Sequence, residues 1–251
     1  RENSKQMKQD LQLPQPMIEV RGVRKEYPIG DETVVALKKI NLKINKGEIC
    51  CIFGTSGSGK STLLNQLAGM EKPTRGEVRI GGVSITRLNE NQLAAFRQRH
   101  IGFVFQSYNL LPGLTATENV ALPLMFRGMP KAQREKAARQ MLKRVGLEHR
   151  MDHFPKQMSG GQQQRAGIAR AFITHPEVVF ADEPTGNLDS KTTIEVMNMI
   201  RGFAEKFNQT IILVSHDPEM ADYADRIVTL IDGEVVSDKQ NLTHRGPSEG
   251  E

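Results

Sequence analysis

With 251 residues the chain is long enough for one large α/β domain whose core needs neither disulfides nor metal to hold it. A hydrophobic fraction of 38% and a charged fraction of 25% are those of an ordinary folded domain and exclude disorder throughout. The formal charge of +5 arises from acids and bases that interleave along the chain, so no basic stripe marks a nucleic-acid surface and no nucleic-acid partner is expected.

Residues 1–16 are polar, end in Pro14-Gln15-Pro16, lack the basic-then-apolar pattern of a signal peptide, and read as a tail. Short β-like runs follow at Ile18-Glu19-Val20 and Thr33-Val34-Val35-Ala36-Leu37. The pattern resumes at Glu77-Val78-Arg79-Ile80 after the turn Pro73-Thr74-Arg75-Gly76, which predicts an antiparallel layer. Short apolar strands at 49–53, 101–105, 178–181 and 211–214 alternate with helix-like segments, the mark of a parallel α/β core. Cys50 and Cys51, the only cysteines, are adjacent in the first of these and should point to opposite faces as small buried hydrophobes.

From 89 to about 156 the pattern is mainly helical, with a capping-box sequence at Thr115-Ala116-Thr117-Glu118 and a charged helix over 131–145. The expected division is therefore a domain over 17–237, with its core and β layer in 17–88 and 157–237, a helical subdomain inserted at about 89–156, and a polar tail over 238–251. No apolar run approaches the roughly 18 residues that cross a bilayer, so membrane association would come through a partner. The bases of 131–144 are interrupted by Glu135 and Ala137-Ala138 and read as a solvated helix face. His149 and His153 have ligand-like spacing but sit at a helix end beside Pro155.

Three motifs carry chemistry. Gly54-Thr55-Ser56-Gly57-Ser58-Gly59-Lys60-Ser61 matches the phosphate-loop pattern, placed after an apolar strand and before the helical run that Thr62 opens. Its glycines permit a tight loop of inward N–H groups, and the helix N-terminus faces the same anion. Lys60 would bridge the β- and γ-phosphates, and the Ser61 hydroxyl would ligate Mg²⁺. Val178-Val179-Phe180-Ala181 leads into Asp182-Glu183: Asp182 would hold Mg²⁺ and Glu183 would polarise the attacking water, although such a pair alone is equally a helix-start feature. Met158-Ser159-Gly160-Gly161-Gln162 opens a helix with free N–H groups suited to an anion, or simply to a helix cap.

In this order the three motifs resemble the ATP-binding cassette (ABC) family, with Ser159, Gly160, Gly161 and Gln162 as its signature; the resemblance covers about 17–236. It implies a P-loop NTPase (RecA-like) α/β core with an antiparallel β layer and an inserted helical subdomain. Gln106 matches the glutamine that senses Mg²⁺ and water, His216 the histidine at the γ-phosphate, Gly186-Asn187-Leu188-Asp189 the loop that crosses to a second subunit. Tyr27 falls where the family stacks an aromatic on adenine, or it packs within the β layer. Gly186 replaces a frequent serine, and the run Pro184-Thr185-Gly186-Asn187-Leu188-Asp189 looks like the branch of macrolide exporters, lipoprotein-release machines and cell-division complexes.

The implied protein is an ATPase using ATP and Mg²⁺, peripheral on the cytoplasmic face of the cell membrane. It would act as a homodimer and drive a separate permease, of four-helix type with a large external domain, in export or in force transmission. A cassette of DNA repair or translation is the alternative, but the long insertions or second cassette of those proteins are not present in the sequence.

Overall fold

The computed structural model of the chain describes residues 15–243. The first strands, β1 (Ile18–Ile29) and β2 (Glu32–Ile44), form a long hairpin turned at Gly30, whose φ of 61° suits a residue without a Cβ. With β4 (Arg75–Ile80) and β5 (Val83–Ser84) they make an antiparallel sheet of order β2-β1-β4-β5, the layer expected from the sequence. The second sheet takes β3 (Ile49–Phe53), β6 (Ile101–Phe105), β7 (Val178–Asp182), β8 (Thr210–Ser215), β9 (Arg226–Ile231) and β10 (Glu234–Gln240) in the order β10-β9-β3-β8-β7-β6. Only the β9–β10 pair is antiparallel.

The helices are α1 (Lys60–Leu67), α2 (Glu90–His100), α3 (Ala116–Phe126), α4 (Lys131–Arg144), α5 (Gly160–Phe172), α6 (Ser190–Phe207) and the short α7 (Pro218–Ala221). Strand alternation divides the core in two. Cys50, Ile52, Phe180 and Ile212 face the β layer, α1 and Leu93 of α2. Cys51, Val179, Ala181, Ile211 and Leu213 face α3, α4, α5 and α6 through Val120, Leu142, Phe172 and Val196. The two cysteines thus lie on opposite faces as expected, and burial keeps both thiols protonated, pushing Cys51 up to about 12.

Two boundaries differ from the sequence reading. The helical insertion begins after β6 rather than at 89, because α2 buries Leu93 in the core beside α1 and β6 pairs with β7. The inserted part is α3, α4 and the short turns Glu148–Arg150 and Pro155–Gln157; Thr115 and Glu118 cap α3 reciprocally, as their spacing predicts. At the other end the domain does not stop at 237: β10 runs to Gln240, and the Asp238 carboxylate accepts two hydrogen bonds of 2.6 Å from the Arg226 guanidinium. A solvated edge strand is polar on its outer face, so its sequence resembles a tail. The remaining parts of both expected tails, 1–14 and 244–251, lie outside the described residues.

Candidate nucleotide site

Parallel strands deliver their following loops to one edge of the sheet, which is where side chains from separate parts of the sequence meet. After β3 the chain turns through Gly54–Gly59 into α1, with Gly57 at φ 79° and Gly59 at φ 99°, conformations that a side chain would strain. Gly54 has a steric reason as well: a Cβ there would lie 2.5 Å from the Leu230 carbonyl oxygen and 2.6 Å from Ser58 Oγ. Lys60 is buried and its ammonium donates to the carbonyls of Gly54 (2.6 Å) and Thr55 (2.8 Å), inside the curve of the loop. Leu63 N–H is the first amide of α1 to reach back to a carbonyl, that of Gly59, so the amides of Lys60, Ser61 and Thr62 are left for a ligand.

This loop floors a cavity of about 840 Å³. Thr55, Ser56, Gly57, Gly59, Lys60, Ser61 and Thr62 line it, together with Gln106 after β6, Asp182 and Glu183 at the end of β7, and His216 after β8. Asp182 is half-buried, and desolvation reinforced by the neighbouring Glu183 raises its pKa while Lys60 opposes the shift. Glu183 is held in left-handed backbone (φ 45°), uncommon for a residue with a side chain, and its N–H donates to the Val214 carbonyl at 2.9 Å. Its carboxylate lies 2.8 Å from His216 Nδ1, a contact that fixes the acid's direction. Gly186 has a local explanation too: a Cβ there would fall 2.5 Å from Gln106 Nε2, so a serine could not occupy this position without moving that glutamine.

Several expected residues lie apart from the cavity wall: Gly54 and the buried Ser58 sit behind the lining residues of the loop, and Tyr27 and the signature are farther off. Tyr27 does not line it; the phenol donates to Glu71 at 2.7 Å, while its cross-strand neighbour Val34 lines the cavity. Ser159, Gly160, Gly161 and Gln162 are elsewhere, at the N-terminus of α5, where Ser159 and Gln162 form a capping box. Conversely, Val34, Val35, Ala36, Lys38, Asp232 and Gly233 line the cavity and were not anticipated. The last two form the β9–β10 turn, which is stitched to the β layer by Lys38 N–H on the Gly233 carbonyl (3.0 Å).

A strand, glycine loop and helix N-terminus beside two carboxylates at the carboxyl edge of a parallel sheet define a P-loop nucleotide hydrolase. The chain belongs to the ABC transporter family, whose model matches residues 37–186. It is 50% identical over 88% of its length, and 98% of the relative's, to the uncharacterized ABC transporter ATP-binding protein MJ1508 of Methanocaldococcus jannaschii. It is 45% identical over 88% of its length to the macrolide export ATP-binding/permease protein MacB of Escherichia coli K12, but spans only 34% of that protein. Among solved structures, a dimeric post-hydrolysis state of the ATP-binding cassette MJ0796 bound to ADP and Pi superposes with a TM-score of 0.84. Identity there is 44%, covering 92% of this chain and all of the other. The chain is thus an ATP-binding, ATP-hydrolysing cassette, and nothing in these relatives supports the alternative of a repair or translation ATPase. Among the described residues no helix is long and apolar enough to cross a membrane.

Proposed function

We propose that two copies of this chain form two composite ATP sites, each made of the cavity of one copy and the Ser159–Gln162 helix start of the other. One observation carries the reading: the phosphate loop, Gln106, Asp182, Glu183 and His216 share one cavity, and the signature, a helix N-terminus with Ser159 exposed and Gly160, Gly161 and Gln162 partly exposed, lies away from it. MJ0796, which resembles this chain at 44% identity, is itself a dimeric cassette.

Within each site Gly54, Thr55, Ser56, Gly57, Ser58, Gly59, Lys60, Ser61 and Thr62 hold the phosphates, with the Lys60 ammonium between β and γ. Glu183 orients and polarises the attacking water as a general base, and His216 steadies that carboxylate and faces the γ-phosphate. Ser61, Gln106 and Asp182 offer a hydroxyl, an amide and a carboxylate to the same cavity, a hard-oxygen donor set that fits Mg²⁺. When bound, that ion neutralises charge developing on the phosphate oxygens. Tyr27 stacks on the base beside the apolar wall of Val34, Val35 and Ala36. Tyr27→Ala should then weaken ATP binding by about 1 kcal/mol; unchanged affinity in a folded variant would leave Tyr27 only its bond to Glu71.

The closed dimer drives a membrane permease, at the cytoplasmic face of the membrane, in export or force transmission. The kinship to MacB and the Thr185-Gly186-Asn187-Leu188-Asp189 loop favour a permease of four helices with a large external domain. Composite sites make hydrolysis second order in chain at low concentration. Specific ATPase activity should therefore rise with chain concentration until dimers dominate. Constant specific activity from a species that sizes as a monomer with ATP would overturn the composite site.

A further inference from the structure

Gln164 lies in the first half of α5, just beyond the signature, and has no accessible surface. Its Nε2 donates to the Phe105 carbonyl at 3.1 Å and to the Pro184 carbonyl. Phe105 ends β6 immediately before Gln106, and Pro184 follows Glu183 directly. One buried amide thus joins the exits of two neighbouring strands to the helix that begins with Ser159.

Packing does not account for this residue. Gln164 Oε1 is buried with no hydrogen-bond partner among the described residues, a cost that a methionine or leucine of similar volume would not carry. The amide orientation follows from its surroundings, since the reversed amide would set Oε1 against two carbonyl oxygens. A second link runs from the same helix: Arg170 donates to the carbonyls of Asn109 (2.6 Å) and Tyr108 (2.9 Å). Both of those residues have left-handed backbone, at φ 51° and 63°. The Tyr108 hydroxyl in turn lies 2.7 Å from where a Cβ on Gly160 would be, so the loop after Gln106 rests on the signature itself.

We infer that Gln164 is a positioning residue for hydrolysis. It holds the backbone on either side of the water-handling pair, Gln106 and Glu183, in register with the signature helix. Gln164 is then the side chain that carries any displacement of α5, when the second copy engages Ser159–Gln162, to both loops at once, with Arg170 adding its link to the loop after Gln106. Gln164 touches no nucleotide and contributes nothing to the cavity wall, so its loss acts on the chemical step and not on ATP binding. The inference rests on the roles proposed above for Gln106 and Glu183.

The test is steady-state ATP hydrolysis by the full chain carrying Gln164→Met, which fills the volume and removes both donors. The expected result is a kcat lower by roughly tenfold to a hundredfold, as sub-ångström to ångström misplacement of reacting groups produces, with KM for ATP within about twofold of wild type. Gln164→Glu, protonated by its buried setting and so able to make one of the two bonds, should fall between the two. A kcat equal to wild type in the Met variant, or a rise in KM that accounts for all the loss, would overturn the inference. If the Met variant does not melt cooperatively, the same kcat and KM criteria applied to Gln164→Glu decide. Glu183→Gln measured in parallel separates the two layers of the argument: full turnover there removes the underlying site reading, whereas an inactive Glu183→Gln beside a fully active Gln164→Met removes only the role of Gln164.

Discussion

Replacing Glu183 with glutamine is expected to abolish ATP turnover while leaving ATP binding intact, so that a nucleotide-bound dimer accumulates. The substitution keeps the side chain's length and its contact with His216, 2.8 Å away in the wild-type chain, and leaves the left-handed backbone at Glu183 anchored to Val214. What it removes is the only property an amide cannot supply, a carboxylate able to polarise and accept a proton from water. General bases of this kind contribute about 10²- to 10⁴-fold. Lys60, Ser61 and Asp182 are untouched, so the phosphates are still gripped, and a dimer that opens only after the γ-phosphate is cleaved remains closed. Size-exclusion chromatography with and without ATP, alongside a phosphate-release assay, checks both halves. Wild-type turnover in the variant would take the role of base away from Glu183, and a monomer in the presence of ATP would separate hydrolysis from dimer closure.

The parts of this site that were legible in the sequence are those whose chemistry is local. A glycine loop between an apolar strand and a helix specifies its own geometry, and the observed φ values of Gly57 and Gly59 are the ones such a turn needs. The same holds for the Thr115 and Glu118 cap of α3 and for the division of Cys50 and Cys51 between two faces, which follows from strand alternation alone. The strands at 49–53 and 101–105 were equally plain because burial on both faces makes them short and continuously apolar.

What escaped is non-local. The β9–β10 hairpin turns at Asp232-Gly233, a strong type of turn signal with φ of 46° and 73°, yet its outer strand is half solvated and blends into a polar terminus. With the hairpin unrecognised, Asp232 and Gly233 could not be placed in the cavity wall, nor could the facing residues Val35, Ala36 and Lys38 of β2. The boundary at 89 failed for a related reason: α2 is polar on most of its surface and resembles an inserted surface helix until Leu93 is seen against α1 and the β layer. Gln164 is the extreme case. Its sequence neighbourhood, Gln162-Gln163-Gln164-Arg165, reads as a solvated polar stretch, and only the approach of Phe105 and Pro184, distant in the chain, gives one of the three glutamines a buried task.

A single charge introduced at Phe126 or Leu111 is expected to sever this cassette from its permease while sparing its basal ATPase activity. Between β6, α3 and α5 lies a groove of about 190 Å³ whose walls include Phe103, Phe105, Pro123 and Phe126. Phe126 is 59% exposed at the end of α3, and the adjacent Met125 is also exposed. Leu111 is 49% exposed because its loop is pinned from beneath: Asn119 donates to the Leu111, Leu114 and Thr115 carbonyls and accepts from Leu111 N–H, which leaves the leucine side chain outside. Arg127 ties the end of α3 to the Gln98, Arg99 and Thr174 carbonyls, which fixes Phe126 relative to the Gln98 and Thr174 side of the groove. Exposed aromatic and aliphatic side chains around a preformed cleft suit an apolar helix, and Phe105 connects the cleft directly to Gln106 in the nucleotide site. In Phe126→Glu or Leu111→Glu the arriving helix would bury an unpaired carboxylate, which costs several kcal/mol at an interface centre. Neither residue lines the nucleotide cavity, so ATP hydrolysis by the cassette alone should stay near the wild-type rate. Co-purification with the co-expressed permease reads the coupling: loss of the complex with ATPase activity retained is the expected result. Loss of both would indicate a damaged fold, and an intact, fully coupled complex in both variants would place the permease contact on another face.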